Sequence, residues 1–108
     1  MNLEQAIREA APLIGWKVIG DGRPDLFHDA GGYIKAPFEL RSDCHAFVGL
    51  LEDWCRENSD TELIAITTGP SGCTIAIDNP KPPAYQIFHD DWLRAKLFAL
   101  VSLARTLR

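Results

Sequence analysis

The sequence predicts an α+β fold, a three-layer helix–sheet–helix sandwich around a small, mainly antiparallel sheet, with three main helices. The first observation is a hairpin signal: two runs rich in β-branched residues, 61–68 and 73–78, flank the turn sequence Gly-Pro-Ser-Gly at 69–72. The second is that neither face of this hairpin is clearly polar, which predicts a sheet covered on both sides. The third is that patterns typical of amphipathic helices precede and follow the hairpin.

The first helix is predicted to begin directly after Asn2. This residue can accept a hydrogen bond from the free backbone amides of the first turn, and Gln5 can reach back to it, which is a capping-box pattern. The apolar residues at helical spacing form one stripe that we expect to be buried: Leu3, Ile7, Ala10 and Ile14. Pro12 should end or distort the last turn, because proline has no amide donor and its ring clashes with the preceding turn.

The stretch between the first two helices is expected to hold short strands. Residues 16–19 predict one strand, which the run of Gly, Asp and Pro over 20–25 stops. Leu26–His28 and Tyr33–Lys35 predict two further strands, because the sequence Asp-Ala-Gly-Gly between them is a plausible hairpin turn.

The second helix is predicted from Asp43 to about Asn58. Ser42 is its expected N-cap, and Asp43 lies near the positive end of the helix dipole. Its apolar residues fall on one side: Phe47, Leu50, Leu51, Trp54 and Cys55. Gly49 in the interior costs about 1 kcal/mol relative to alanine, and we expect it to permit close packing against the sheet.

Beyond the hairpin, the chain is predicted to end in a third helix. The proline-rich run 79–83 is extended and polyproline-like, and Tyr85–Phe88 predicts a brief edge strand. The last helix is expected to begin near Asp90 and Asp91, whose carboxylates suit a helix start. Its apolar arc is so broad that it indicates either deep burial or a second surface for a partner.

Composition narrows the class of protein. The 108 residues are expected to form one globular domain, 1–108, large enough to bury a core without disulfides or a metal. A net charge of −4 favours neither nucleic-acid nor membrane-surface binding, and the longest apolar run, within 97–103, is too short to span a bilayer. Three cysteines, an odd number, in a chain without a signal peptide predict reduced thiols and a cytoplasmic location.

Three short motifs follow one another in a distinctive order. A Gly15-Trp16 pair comes after the first helix, the Gly-Gly-Tyr stretch Asp29–Tyr33 comes next, and Pro37–Asp43 leads directly into the second helix. A hairpin and an Ala/Leu-rich helix then close the sequence. This order resembles the small phage and prophage proteins grouped as the phage ABA sandwich domain family.

The resemblance covers roughly Ile7 to Leu107. Two departures stand out: Glu39-Leu40 occupies the place where the family usually has a tyrosine, and Ala30-Gly31-Gly32 loosens the Asp-Gly spacing. The resemblance implies a helix–sheet–helix sandwich encoded by a mobile element. It brings no catalytic residues.

No arrangement of residues in the sequence points to catalysis or to a metal. Cys44 and His45 are neighbours, but adjacent side chains on a helix point about 100° apart, and no paired Cys-Xaa-Xaa-Cys or His-Xaa₃-His unit is present. Buried structural thiols are the better interpretation of Cys44, Cys55 and Cys73. Core packing is likewise the interpretation of Trp16, Trp54 and Trp92. We therefore expect a non-enzymatic protein without metal or cofactor.

Function is expected in the irregular connection 20–41 and the proline loop 79–85, because long ordered loops are disproportionately functional. The side chains that we expect to face solvent there and to contact a partner are Asp21, Arg23, Asp25, His28, Tyr33, Lys35 and Lys81.

The leading hypothesis is a phage- or prophage-encoded protein-binding module of the host cytoplasm, monomeric or homodimeric. It would contact a host or phage protein, for example as an inhibitor of a host defence complex. The alternative is a small-ligand, nucleotide-type binding protein, in which charge and stacking come from Arg23, Arg41, Lys35 and Tyr33.

Overall fold

The computed structural model of the protein describes residues 2–20, 23–59, 64–69, 72–77, 84–88 and 91–107. Helix α1 covers Leu3–Ala10 and continues as a 3-10 turn over Ala11–Ile14, helix α2 covers Arg41–Asn58, and helix α3 covers Trp92–Leu107. The strands are β1 (Lys17–Ile19), β2 (Arg23–His28), β3 (Ile34–Lys35), β4 (Ile64–Gly69), β5 (Gly72–Ile77) and β6 (Ala84–Phe88). None of these helices combines the length and the apolar character that crossing a membrane requires.

The described strands form two antiparallel sheets of three strands each, in the orders β1-β2-β3 and β4-β5-β6. The short strands predicted at 16–19, Leu26–His28 and Tyr33–Lys35 are confirmed as β1, β2 and β3, but they form a sheet of their own, whereas the sequence predicted a single small sheet. The predicted hairpin is confirmed: β4 pairs with β5, and its register places Gly69 opposite Gly72 and Ile66 opposite Ile75. Strand β6 pairs with β5 and lies at the edge of this sheet, as expected.

Helix α3 is central to the packing. It contacts β4, β5 and β6 as well as α1 and α2. Its side chains are accordingly buried around most of its circumference: Leu93, Ala95, Leu97, Ala99, Leu100, Val101, Leu103 and Ala104. The sequence left open whether its broad apolar arc is buried or meets a partner. Burial inside the protein accounts for it, and the predicted α+β class, in which helices are layered on a small antiparallel sheet, is confirmed.

The first sheet is attached to the helices through aromatic contacts. Phe27 of β2 packs against Trp16 with ring centroids 6.5 Å apart, and Trp16 in turn lies edge-on to Phe47 of α2 at 5.2 Å. Most side chains of the second sheet lie outside the described residues. The expectation that this sheet is covered on both faces therefore concerns residues outside the described ones.

The local sequence predicted the start of α1 correctly and the start of α2 incorrectly. The side chain of Asn2 accepts from the Gln5 amide at 2.9 Å, and the Gln5 side chain accepts from the Asn2 amide at 3.1 Å, which confirms the capping box. Ser42 as the N-cap of α2 is wrong, because the helix already begins at Arg41. The N-cap is Leu40, whose carbonyl oxygen accepts from the amides of Asp43 and Cys44, both at 3.1 Å. Asp43 Oδ2 accepts from the Ala36 amide at 2.8 Å and so holds the segment that enters the helix.

Pro12 and Gly49 both disfavour helices, and they have different consequences. Pro12 lies in the 3-10 turn that follows α1, which confirms that the last turn is distorted. Gly49 lies inside α2, and no described atom comes within 4 Å of the position that a Cβ would occupy. The expectation that Gly49 permits close packing against the sheet is therefore wrong.

Candidate protein-binding surface

The turn between β2 and β3 is held by one aspartate. Asp29 Oδ1 accepts from the backbone amides of Gly31 and Tyr33, both at 2.9 Å, and the Asp29 amide donates to the Tyr33 carbonyl oxygen at 2.9 Å. Gly32 adopts φ of 85°, a conformation that side chains disfavour. A Cβ on Gly31 would lie 3.3 Å from the Tyr33 ring, so this ring rests against the turn. These hydrogen bonds fix the conformation of the turn within the chain itself.

Strand register places a row of exposed residues on one side of the first sheet. Lys17 of β1 is opposite His28 of β2, and His28 is opposite Ile34 of β3. Residues directly opposite each other share a face of a sheet, and all three are exposed. Tyr33, next to Ile34, is 72% exposed and Ile34 is 64% exposed. Tyr33 precedes β3 in the turn, so strand register does not assign it to a face of the sheet. We call the exposed surface of Lys17, His28 and Ile34, together with the adjoining Tyr33 of the turn, the hairpin face.

The predicted partner-contacting residues are only partly brought together. His28 and Tyr33 belong to the hairpin face. Lys35 is on the same hairpin, but it is half-buried and its Nζ lies 4.0 Å from Asp29 Oδ2. Asp25 in β2 is half-buried as well, which differs from the expected exposure. Arg23 begins β2 and its side chain lies outside the described residues, as do Asp21 and Lys81 entirely.

Sequence reasoning missed two members of the hairpin face, Lys17 and Ile34. An isoleucine inside a short strand is assigned to the core by default, and β3 is too short for alternation to decide. The signal that could have found Ile34 is its register with His28, a polar residue next to the buried Phe27. That register follows from the turn at Asp29.

A second candidate, the Arg41 cleft, lies between the starts of α2 and α3. It measures about 140 Å³ and is lined by Leu3, Pro37, Phe38, Glu39, Arg41, Cys44, Asp91, Leu93 and Arg94. Arg41 donates to both carboxylate oxygens of Asp91, and its guanidinium lies 5.7 Å from the centre of the Trp92 ring. Tyr33 and Lys35 do not line this cleft, so the residues proposed for nucleotide binding do not converge there.

A third candidate, the Trp16 cavity, opens beside the 3-10 turn and the first sheet. It measures about 370 Å³ and is lined by Arg8, Ala11, Pro12, Gly15, Trp16, Lys17, Val18 and Phe27. Trp16 is 2% exposed, and its indole Nε1 is buried without a hydrogen-bond acceptor among the described residues. An unsatisfied buried donor of this kind costs about 1–3 kcal/mol. Trp16 is therefore a core residue, as predicted, and its indole N–H lacks a hydrogen-bond acceptor among the described residues.

The other two tryptophans lie nearer the surface than predicted. Trp54 is half-buried against the core, and Trp92 is 39% exposed at the start of α3. The Trp92 ring is edge-on to His45 at 6.0 Å. For Trp92, the expected core packing is wrong, because the ring lies over the helix start, where the chain enters from the surface.

The described cysteines are buried thiols, as predicted. Burial raises the pKa of Cys55 to about 12, with a further contribution from Glu52. Burial, followed by the charge of Asp91, also raises the pKa of Cys44. Among the residues that the structure describes, no group of three or more His, Cys, Asp or Glu could hold a metal ion. The side chain of Cys73 lies outside them.

Of these three features, the hairpin face has the two most exposed large apolar side chains among the described residues, Tyr33 and Ile34. The Arg41 cleft is bridged by the ion pair between Arg41 and Asp91, and the lining of the Trp16 cavity is largely apolar. Comparison of the chain with protein-family models, with curated proteins and with solved structures finds no match in any of the three.

Proposed function

We propose that the protein is a protein-binding module whose contact surface is the hairpin face. The observation that carries this proposal is the exposure of Tyr33 and Ile34, 72% and 64%, on a turn held by Asp29. Tyrosine is enriched at the energetic centres of interfaces. A turn that is ordered beforehand reduces the entropy lost on binding.

The chemistry of the hairpin face suggests what the partner offers. Tyr33 and Ile34 need an apolar counterpart, and Lys17 and His28 add a positive charge and an imidazole that can form hydrogen bonds. β3 also lies at an edge of its sheet, where an extended strand of a partner can add by backbone hydrogen bonding. The expected partner surface is therefore apolar with carboxylates at its rim.

The origin and setting of the protein are part of the same proposal. The resemblance to phage ABA sandwich proteins supports a phage- or prophage-encoded module that acts without catalysis in the host cytoplasm. A host protein, for example in a defence complex, is then the expected partner. The chain would act as a monomer or a homodimer. Nucleotide-type ligand binding has no comparable support from the described side chains.

The test is affinity purification from host lysate followed by reconstitution with the purified partner. The variant Tyr33→Ser/Ile34→Thr removes both exposed anchors and keeps the β3 backbone. Leu50→Gln is the matched control, because Leu50 is 43% exposed on α2, away from the hairpin face. We expect the wild type and the control to retain one protein in stoichiometric amounts, and the double variant to bind it at least about thirtyfold more weakly.

Two outcomes would contradict the proposal. One is that no protein binds the wild type stoichiometrically. The other is that the purified partner binds the double variant as tightly as the control. Light scattering on the purified chain shows whether the partner is a second copy, in which case the double variant should be monomeric.

A further inference from the structure

We propose that a groove beside the second half of α2 binds an arginine side chain of a basic peptide segment. The groove measures about 270 Å³ and lies between the 3-10 turn and α2, with the lining Leu13, Ile14, Leu50, Asp53, Trp54 and Glu57. None of these residues belongs to the hairpin face, so the groove is a second site and does not rest on the first.

The walls of the groove fit the apolar stem and the flat head of an arginine side chain. Leu13, Ile14 and Trp54 are partly buried and pack against the core, so they give the groove an apolar wall that the core holds in place. An indole ring is the aromatic surface that attracts a cation most strongly, and a guanidinium can stack on it. Leu50, which is 43% exposed, offers a contact to apolar neighbours of the arginine. The volume is below the roughly 300–1,000 Å³ of small-molecule pockets, so one side chain fits better than a whole cofactor.

The charge of the groove favours a cation. The two ionisable residues in its lining, Asp53 and Glu57, are both carboxylates, and both are exposed. Neither carboxylate has a hydrogen bond or an ion pair with any part of the chain that the structure describes. The charged residues beside them bind each other instead, since Arg56 Nη2 lies 3.5 Å from Glu52 Oε1. A guanidinium carries several donors and can serve both carboxylates.

The same two carboxylates are unfavourable for the helix that carries them. Asp53 and Glu57 are four positions apart, so they are neighbours on one side of α2, where like charges repel each other. Glu57 also lies in the last turn of this helix, at the negative end of the helix dipole. A bound guanidinium would offset both effects. Charge complementarity thus identifies the occupant of the groove as cationic.

The experiment is an NMR titration of the ¹⁵N-labelled full chain with the arginine peptide acetyl-Leu-Arg-Leu-amide. Three tryptophans give three indole N–H signals, and Trp54→Phe identifies the signal of Trp54. We expect that signal to shift more than those of Trp16 and Trp92. The same peptide with neutral citrulline in place of arginine should bind about fivefold more weakly, because it lacks the charge.

A matched pair of double variants tests the two carboxylates. Asp53→Asn/Glu57→Gln removes both charges from the groove and should weaken binding of the arginine peptide about fivefold. Because the repulsion between the two carboxylates is gone, the melting temperature of this variant should rise by about 1–3 °C. The control Glu4→Gln/Glu39→Gln removes the same charge from exposed positions outside the groove. It should bind the peptide as the wild type does and should gain no stability.

Four results would overturn the proposal: an unmoved Trp54 signal at millimolar peptide, equal binding of the citrulline peptide, equal weakening by the two double variants, or a lowered melting temperature of Asp53→Asn/Glu57→Gln. Two variants used at the hairpin face keep the sites apart. Leu50→Gln changes the groove alone and should weaken the arginine peptide while it retains the partner of the hairpin face. Tyr33→Ser/Ile34→Thr should bind the arginine peptide as the wild type does. Failure at one site is therefore distinguishable from failure at the other.

Discussion

Arg41 and Asp91 form a bidentate ion pair that joins the start of α2 to the start of α3. The two guanidinium nitrogens donate to the two carboxylate oxygens at 2.9 and 3.2 Å, although the residues lie 50 positions apart. Asp91 Oδ1 also accepts from the Leu93 amide at 2.9 Å. One carboxylate thus caps α3 and links it to α2.

The ion pair between Arg41 and Asp91 predicts that the stability of the fold decreases at acidic pH. The hydrogen bond from Arg41, followed by that from the Leu93 amide, holds the pKa of Asp91 below its usual value. A lowered pKa stabilises the fold above the unfolded-state pKa of about 4, and the stabilisation is lost as the pH falls through the folded-state pKa. In Asp91→Asn, which can still cap the helix, we expect the free energy of unfolding to fall less steeply below about pH 4.

Urea unfolding of both proteins over a series of pH values measures this difference. Asp91→Ala should lose about a further 1 kcal/mol at neutral pH relative to Asp91→Asn, because alanine cannot cap. Parallel pH profiles for the wild type and Asp91→Asn would show that the ion pair does not contribute.

Cys55 is expected to resist alkylation in the folded protein. Its side chain is buried, its Sγ lies 3.7 Å from the Leu100 carbonyl oxygen, and its pKa is raised to about 12. Because the thiolate is the reacting form, iodoacetamide at mildly alkaline pH should leave Cys55 unmodified in the folded chain and modify it in guanidinium. Peptide mass spectrometry reports each cysteine separately. Equal rates in the two conditions would contradict the buried position.

Truncation of Leu100 tests whether the packing of α3 contributes strongly to the stability of the core. The side chain is fully buried, and truncation to alanine leaves a cavity that neighbours on several sides would have to fill. We expect Leu100→Ala to lower the free energy of unfolding by about 2–5 kcal/mol. The control Leu50→Ala, at a position 43% exposed, should change it by less than about 1 kcal/mol. A loss no larger than the control's would place Leu100 outside the core.

Gly49 is expected to be replaceable with a gain in stability. No described atom lies within 4 Å of an added Cβ, and alanine favours the helix by about 1 kcal/mol. Gly49→Ala should therefore raise the free energy of unfolding by about 0.5–1 kcal/mol. Gly32→Ala should instead lower the free energy of unfolding by about 1–2 kcal/mol, because φ is 85° at this position. Denaturant unfolding of the two variants side by side shows whether the signs differ.

The sequence indicated part of the hairpin face. The turn residues from Asp29 to Gly32 predicted the reversal, and with it the positions of His28 and Tyr33. It did not indicate Ile34 or Lys17, since a strand of two or three residues has no readable alternation. That the indole N–H of Trp16 lacks an acceptor among the described residues could not be predicted at all, because it depends on which acceptors the rest of the chain brings near it.

What the sequence determined by itself was local. The Asn2–Gln5 capping box, the turn between Gly69 and Gly72, and the distortion at Pro12 each involve residues within a few positions of one another, so their energies do not depend on the distant chain. The tertiary structure decided the rest. It paired Arg41 with Asp91 across 50 positions, and it buried the broad apolar arc of α3 against one sheet and two helices. Burial and long-range pairing are properties of the packed chain, and no short window of sequence contains the neighbours that produce them.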